Sequence, residues 1–304
     1  MSEPLTLFLG RTTVDALYRL DALPEENTKV YARQFHAAPG GPAMNAALTH
    51  ARLGGETLLV SAVGSGPLAG LVRSELGRHR IPLLDLADGT SYQTPLCAVL
   101  INAANGSRTV LNPPIQPATL RPLGSWPAEA QALGGQLPSV VLTDGFFFPQ
   151  IRSLLESLRD AGAALVLDAG SFKPGTAELV PLLTVAICSE RFNVPAEHGG
   201  PLENPEAIFA WLIAQGVPCA AVTRGANSIL ASDRDRRFEI PIPAIAAVDT
   251  LGAGDVLHGA FCYYFARQQE FEPALRRAAH IATLSCQSLG TQAWPTQLHP
   301  PAGE

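Results

Sequence analysis

The chain has 304 residues, of which 47% are hydrophobic, so it can bury a large core and is not expected to be disordered. Its formal net charge is −6, which argues against the basic surface that non-specific nucleic-acid binding requires. A small anionic substrate is compatible with this charge, because a local pocket can oppose the overall sign.

The N-terminus and the cysteines predict a cytoplasmic protein. Residues 1–10 lack the basic and long apolar segments of a signal peptide, and no uncharged apolar run reaches the roughly eighteen residues that span a bilayer. The cysteines show no metal-binding spacing, so we expect reduced and mostly buried thiols at Cys97, Cys188, Cys219, Cys262 and Cys286. We expect neither a membrane nor a nucleic acid as a partner.

Short β-prone segments alternate with longer helical segments along most of the chain. Buried strands are predicted at residues 4–10, 56–64, 139–145, 164–170, 184–190 and 219–225. Apolar residues at helical spacing predict helices at residues 43–55, 67–79, 148–162, 204–216 and 273–290. This alternation predicts an α/β fold in which helices cover both faces of a central, mainly parallel sheet.

Two segments interrupt this alternation. Residues 11–39 are polar, and residues 92–112 predict a β-hairpin with its turn at Asn105-Gly106. We expect both segments to form a small β-sheet lid over a pocket. Residues 113–138 are rich in Pro and Gly and predict a connection with one short helix. We interpret residues 1–304 as one domain into which the lid strands are inserted.

The stretch VDTLGAGDVLHGAFCYYF, at residues 248–265, carries the strongest chemical signal. Residues 252–254 are small and precede a helical pattern, so a phosphate could approach the unpaired N–H groups of the first turn. Asp255 would repel that phosphate unless it has another task, such as taking a proton from an attacking hydroxyl. The residue types alone also allow an Asp that merely caps the helix. Neither a Walker A motif nor a strict GxGxxG is present, so dinucleotide binding has little support.

Two motifs resemble those of a known family. DTLGAGD, at residues 249–255, resembles the C-terminal signature of the PfkB or ribokinase-like carbohydrate kinases, and residues 39–55, PGGPAMNAALTHARLGG, resemble the N-terminal signature. The resemblance covers nearly the whole chain. It implies a ribokinase-like α/β fold with a β lid and transfer of the γ-phosphoryl group of ATP to a hydroxymethyl group of a small sugar. It also implies Mg²⁺ and allows K⁺ as a further ion.

The resemblance assigns roles to residues of both motifs. Asp255 corresponds to the general base, and the anion hole for the transferring phosphoryl group corresponds to Gly252, Ala253 and Gly254. Sugar-contacting positions correspond to Asp15, Gly40, Gly41 and Asn45. The alternatives are a surface turn acid for Asp15 and a helix cap for Asn45. His258, on the helix after Asp255, is interpreted as structural.

Further positions correspond to the nucleotide site of the family. The strand at residues 219–225 ends in a segment that matches the family's T-x-G near the nucleotide: Thr223, Arg224 and Gly225. His280, Cys286 and Gly290 are expected on the last helix, near the adenine. A turn glycine at Gly225 and ordinary helix packing with a C-terminal cap are the alternatives.

One motif departs from the family. An Asn-x-x-Glu that organises Mg²⁺ and phosphate usually follows the strand predicted at residues 184–190. This chain has Ser189, Glu190, Arg191 and Phe192 there, so Phe192 occupies the Glu position. We expect Ser189 near the nucleotide and Glu190 to hold Mg²⁺ through water. Asp249 is the candidate for a monovalent cation.

The class of sugar that accepts the phosphoryl group is indicated by resemblance to two branches of the family, the ketohexokinase-like and the sulfofructose kinase-like. Arg108 resembles a flap residue that could reach phosphate, or it is a solvated hairpin residue. Lys29 and Asn112 correspond to residues that help to hold a sulfonate in the second branch. That branch also has an Arg where this chain has three Phe, at residues 146–148. These aromatic side chains would line a site for a neutral sugar or a nucleobase, or they pack in the core. We therefore expect a neutral ketose or pentose first and a nucleoside second.

Other functions remain open at the sequence level. The lost Asn-x-x-Glu suggests a catalytically silent sugar or nucleotide sensor on the same fold, and a dinucleotide-dependent dehydrogenase has little support. We also expect a homodimer formed through the lid, because a small exposed sheet has open edges that invite pairing.

Overall fold

The computed structural model describes residues 3–104, 106–114, 119–234, 236–288 and 290–291. Thirteen strands lie in these ranges: β1 (Leu5–Leu9), β2 (Thr13–Leu20), β3 (Gln34–Gly40), β4 (Glu56–Ser61), β5 (Leu83–Asp85), β6 (Leu96–Asn102), β7 (Arg108–Leu111), β8 (Val140–Thr143), β9 (Ala164–Ala169), β10 (Val185–Ser189), β11 (Cys219–Arg224), β12 (Asn227–Asp233) and β13 (Arg236–Ile240). Eight α-helices lie in the same ranges: α1 (Pro42–Arg52), α2 (Pro67–Arg78), α3 (Trp126–Glu129), α4 (Phe148–Asp160), α5 (Thr176–Leu179), α6 (Pro205–Ala214), α7 (Ala253–Gln268) and α8 (Phe271–Ser285).

The main sheet has the order β13-β12-β11-β10-β9-β8-β1-β4-β5. From β11 to β5 all neighbours are parallel, whereas β12 and β13 are antiparallel at one edge. The predicted α/β fold is confirmed, and each predicted strand and helix is present with small changes at its ends. The last helix ends at Ser285, so Cys286 and Gly290 lie beyond it and not on it as predicted.

Two apolar layers cover the faces of the main sheet. Alternate residues of one strand point to opposite sides, as in β1, where Phe8 joins one core and Leu7 and Leu9 join the other. The core with Phe8 contains the buried faces of α1, α2, α7 and α8, and the other core contains those of α4, α5 and α6. In the described part of the chain, no helix is both long and apolar enough to cross a membrane.

The predicted small sheet is confirmed. Its order in the described residues is β3-β2-β6-β7, with β2 and β6 parallel and the other pairs antiparallel. We call this sheet the lid. The predicted hairpin is β6 and β7, but Asn105 of its turn lies outside the described residues.

Candidate active site

The carboxyl ends of the parallel strands meet at one edge of the main sheet, which is where ligands bind in folds of this kind. Asp144 follows β8, Asp168 is the second-last residue of β9, and Ser189 ends β10. Helix α7 begins at the same edge, because His258 in its second turn lies 3.5 Å from Asp168. The C-terminal signature motif therefore lies at this edge. The N-terminal motif reaches the same edge through Asn45 of α1, which binds Asp255.

The bend before α7 leaves free backbone amides. Gly252 has a left-handed φ of 66°, and a Cβ there would lie 2.2 Å from Cγ2 of Thr291, so only glycine fits. The N–H groups of Gly254 and Asp255 have no intrahelical acceptor, and none is found for them among the described residues. Free amides at the positive end of a helix suit an anion.

Asp255 is held by the other signature motif. Its Oδ2 accepts a hydrogen bond of 2.7 Å from Nδ2 of Asn45 in α1. Oδ1 of Asn45 in turn accepts from the hydroxyl of Thr291, at 3.2 Å. The helix-cap alternatives for both side chains are wrong, because α7 is preceded by Gly252 with no side-chain cap and α1 begins at Pro42.

The surroundings of Asp255 favour its neutral form. Burial and, after it, the charge of Asp168 raise the pKa of Asp255 to about 7. The hydrogen bond from Asn45 and the charges of His258 and Arg108 act in the opposite direction. A carboxyl with a pKa near neutrality can take up a proton during a reaction at physiological pH.

Sequence reasoning did not assign Asp168 a role, although the pattern of a buried strand that ends in Asp-Ala-Gly was visible. The residue is 7% exposed, and its Oδ1 accepts from the N–H of Gly170 at 3.2 Å. His258 is 4% exposed, and Nδ1 lies 2.6 Å from the carbonyl oxygen of Gly254. His258 is therefore buried, as its structural interpretation expected, and it also contacts the first turn of α7 through Gly254.

Of the candidate sugar residues, Asp15 lines a cavity of about 500 Å³ between the lid and the loop before α7. Asp15 lies in this cavity together with Leu251 and Thr291. Burial raises the pKa of Asp15, although a 2.7 Å hydrogen bond from the hydroxyl of Thr13 opposes the shift. A Cβ on Gly40 would lie 2.1 Å from Oδ2 of Asp15, so this glycine makes room for the carboxylate. A cavity of this size is typical of small-molecule sites.

Strand register places several candidates on one face of the lid. Asp15 pairs across the strands with Cys97, whose Sγ donates to Oδ1 of Asn112 at 3.3 Å. Further along the same face, Nη1 of Arg108 donates to the hydroxyl of Thr250 at 2.9 Å. The Arg108 side chain is therefore exposed but bound to the loop before α7, and is not a freely solvated hairpin residue.

Lys29 is not brought to the other candidates by any described contact. It lies exposed in the connection between β2 and β3, and no hydrogen bond or ion pair joins it to a described residue. Its role toward the acceptor stays a prediction. Gly41, in contrast, directly precedes α1 and so belongs to the same turn as Gly40.

Some of the candidates for the nucleotide lie at the ends of β10 and β11, namely Ser189, Thr223, Arg224 and Gly225. The hydroxyl of Thr223 donates to the carbonyl of Cys188 at 3.2 Å, which joins the two strand ends. Arg224 points away to β12, where its guanidinium binds Ser228. Gly225 lies in the tight turn between β11 and β12, as its alternative interpretation expected.

The segment that departs from the family lies beside these strand ends. Glu190 is exposed, and the hydroxyl of Ser189 accepts from the N–H of Arg191 at 3.2 Å. Phe192, at the expected Glu position, is 1% exposed and packs against Phe172 and Trp211. The position that carries a carboxylate in the family is therefore part of the core in this chain.

Asp249 is fixed by backbone amides. Its Oδ1 accepts from the N–H of Leu251 at 2.8 Å, and its Oδ2 accepts from the N–H of Gly290 at 2.9 Å. The carbonyl of Cys286, just after α8, accepts from the N–H groups of residues 248 and 249. Gly290 lines the cavity that contains Asp15, so the structure places it beside the candidate sugar residues. His280 is exposed on α8.

The aromatic residues after β8 differ in their surroundings. Phe148 is 4% exposed and belongs to the core, as the packing alternative expected. Phe146 instead lies between cations, with Cζ of Arg11 5.2 Å and Nζ of Lys173 5.0 Å from the ring centroid. Asp144 lies next to Phe146, and burial raises its pKa to about 6. Hydrogen bonds to its carboxylate from the N–H groups of Arg11 and Phe146 oppose this shift. Sequence reasoning did not single out Arg11, Asp144 or Lys173.

Comparisons with known proteins agree with this architecture. The chain is 22% identical to the ribokinase of Bacillus subtilis over 287 residues, which cover 93% of each protein. It is 25% identical to the deoxyribokinase of Salmonella typhi over 298 residues, again 93% of each. The solved structure of Arabidopsis thaliana ribokinase, complexed with ribose and ATP, superposes with a TM-score of 0.75 at 21% identity, covering 97% of this chain and 96% of that one.

A family model described as "pfkB family carbohydrate kinase" matches residues 5–297, which is nearly the whole chain. The two signature motifs, Asp255 and Asn45 among them, fall inside this match. The chain therefore belongs to the pfkB family of carbohydrate kinases, and it is a phosphotransferase that acts on a hydroxyl group of a sugar.

Proposed function

We propose that the chain transfers the γ-phosphoryl group of ATP to a hydroxymethyl group of a small sugar, a ketose or pentose resembling fructose or ribose. Asp255 is the general base in this proposal. The observation that carries it is the position of this carboxyl in the first turn of α7, next to free amides and bonded to Asn45. The Arabidopsis ribokinase of similar fold was solved with ribose and ATP, which supports the same pair of substrates here.

The bend before α7 receives the charge that develops during transfer. Phosphoryl transfer depends mainly on positioning and on compensation of charge on the moving group. The N–H groups of Gly254 and Asp255 would donate to that group from the positive end of the helix, with Gly252 and Ala253 completing the bend. Asp255 takes the proton of the acceptor hydroxyl as the new O–P bond forms.

The acceptor occupies the cavity between the lid and the loop before α7. Asp15 accepts hydrogen bonds from its hydroxyls, and Asn45 holds both the sugar and Asp255. Arg108 and Asn112 lie on the same face of the lid as Asp15. The Thr250 contact of Arg108 keeps the lid against the loop that leads into α7.

The nucleotide is proposed to lie across the ends of β10 and β11, near Ser189 and Thr223. Mg²⁺ in such sites is held by one or two carboxylates, by phosphate oxygens and by water. Glu190 is an exposed carboxylate at this edge and fits that arrangement through water. When bound, the ion neutralises charge on the phosphates.

A substrate panel tests the proposal. ADP release, coupled to a dehydrogenase assay, is measured with ATP and a series of ketoses, pentoses and nucleosides. Turnover with one sugar, lost in Asp255→Asn while ATP still binds, supports the proposal. Preferred turnover of a nucleoside would support the nucleoside kinase alternative.

A sensor on the same fold is the second candidate, and the buried Phe192 at the family's Glu position favours it. A sensor would bind sugar or ATP and raise the melting temperature without ADP release for any compound in the panel. The same thermal-shift experiment on Asp255→Asn would then give shifts equal to those of the wild type.

A further inference from the structure

His258 connects three secondary-structure elements next to the bend before α7. From the second turn of α7, its Nδ1 lies 2.6 Å from the carbonyl oxygen of Gly254 and 3.5 Å from Oδ2 of Asp168 at the end of β9. Its Nε2 lies 3.3 Å from the carbonyl oxygen of Ile187 in β10. The ring thus connects the start of α7 to two neighbouring strands of the main sheet.

Each described partner of the ring is an acceptor. A neutral imidazole donates from one nitrogen, whereas the protonated ring donates from both. The ring is 4% exposed, so water does not replace these partners easily. A side chain in this position fixes the Gly254 carbonyl and lies against the carboxylate of Asp168.

The charges around Asp255 come from several elements. Asp168 on β9 raises its pKa, whereas Arg108 on the lid and His258 on α7 lower it. The thiols of Cys188 and Cys262 also face Asp168, and burial together with that carboxylate raises their pKa values, so they carry no charge near neutral pH. Asp168 also interacts electrostatically with Asp144, which follows β8, and the charge of Lys173 acts on Asp144 in the opposite direction.

We propose that His258 is a positioning residue of the phosphotransfer reaction, which anchors the anion-binding bend to β10 and offsets the charge of Asp168 beside Asp255. This inference depends on the proposed function, because it assumes that Asp255 is the base. It assigns two separable effects to one ring. The hydrogen bond to Gly254 sets the position of the amides, and the ring's charge sets the pH at which Asp255 becomes able to accept a proton.

The two effects are separated by three variants. His258→Leu removes both, His258→Asn retains an N–H donor near the Gly254 carbonyl but cannot be charged, and Asp168→Asn removes the opposing carboxylate. The acid limb of the pH profile of kcat/KM should move up by about 0.5–1 pH unit in both His258 variants and down in Asp168→Asn. At a pH above the limb, kcat should fall about tenfold in His258→Leu but less than threefold in His258→Asn, with the sugar KM unchanged. His280→Leu, on exposed α8, is the control with no expected change.

A merely structural His258 would lower kcat at every pH without moving the acid limb, and that result would overturn the proposal. If His258→Leu does not fold, the pH profiles of Asp168→Asn and His258→Asn still test the proposal, because it requires their acid limbs to move in opposite directions. Failure of the proposed function is recognised separately: Asp255→Asn would then retain turnover, and the acid limb of the wild type would not belong to Asp255.

Discussion

Asn45 and Asp255 are 210 positions apart in the sequence, and Nδ2 of the first lies 2.7 Å from Oδ2 of the second. The bond joins the N-terminal signature, which follows the lid strand β3, to the bend that opens α7. A charge-assisted hydrogen bond of this kind both orients the carboxylate and stabilises its ionised form. The sugar side and the phosphate side of the site are thereby coupled through one side chain.

Loss of this bond should change the pH dependence of catalysis. With the pKa of Asp255 raised to about 7, kcat/KM of the wild type should rise with pH through that region, because the base must be unprotonated. Asn45→Ala removes a contact that lowers this pKa, so its acid limb should lie higher and kcat at pH 7 should fall roughly 10–100-fold. Part of the loss should be recovered at pH 9. A flat loss at every pH would show that Asn45 does not tune Asp255.

The left-handed bend at Gly252 predicts a sensitive position. Gly252→Ala places a Cβ against Thr291 and strains a residue with φ of 66°, so kcat should fall roughly 10–100-fold as the amides shift. Gly216→Ala is the matched control, because residue 216 is also left-handed but has open space around it. A Thr291→Ser change should restore part of the activity of Gly252→Ala. Equal kcat values for both glycine variants would contradict the role of the bend.

The raised pKa of Asp255 should cost stability at and above neutral pH. An unfolded Asp loses its proton near its ordinary value of 3.8, whereas folded Asp255 retains it to about 7. Between these values the folded state binds more protons, so the free energy of unfolding falls as pH rises, and the loss is complete above about 7. Asp255→Asn cannot ionise and should melt about 2–5 °C above the wild type at pH 8 but not at pH 4. Calorimetry at both pH values checks this, and an equal difference at the two would contradict it.

The outer face of the lid predicts association between copies of the chain. Tyr18 and Phe35 are 38% and 60% exposed, and their ring centroids lie 5.0 Å apart. Exposed aromatic pairs beside open strand edges favour pairing with a second sheet. Sedimentation should give a dimer at micromolar concentration for the wild type and a monomer for Phe35→Glu. Tyr31→Glu, on an exposed loop residue of the β2–β3 connection, is the control that should remain a dimer. A monomeric wild type would contradict the prediction.

Local patterns were sufficient to predict most of the fold. Strands such as β9 are continuous apolar runs because parallel strands are buried on both faces, and helices such as α1 and α6 start at a proline that suits the first turn. The antiparallel strands β12 and β13 were missed. The edge strand β13 has charged residues such as Arg236 and so gives no apolar run, and the apolar run of β12 is only three residues long. The three-residue β5 is too short to leave a pattern.

The site was predicted less completely, because sheet order brings distant positions together. Signature motifs located Asp255 and Asn45 one by one, but no spacing in the sequence predicts the hydrogen bond between them. Asp168 and His258 become neighbours only because β9 and the start of α7 reach the same edge of the sheet. Arg11 and Phe146 likewise lie far apart in the sequence, and only the fold brings the guanidinium of Arg11 to the Phe146 ring.

The most direct test is a crystal structure with a non-hydrolysable ATP analogue and the sugar selected from the substrate panel. Our account predicts that γ-phosphate oxygens accept from the N–H groups of Gly254 and Asp255, and that a hydroxymethyl oxygen of the sugar lies within about 3 Å of the Asp255 carboxylate. A γ-phosphate bound elsewhere, or a sugar hydroxyl oriented by another carboxyl such as Asp168, would contradict it.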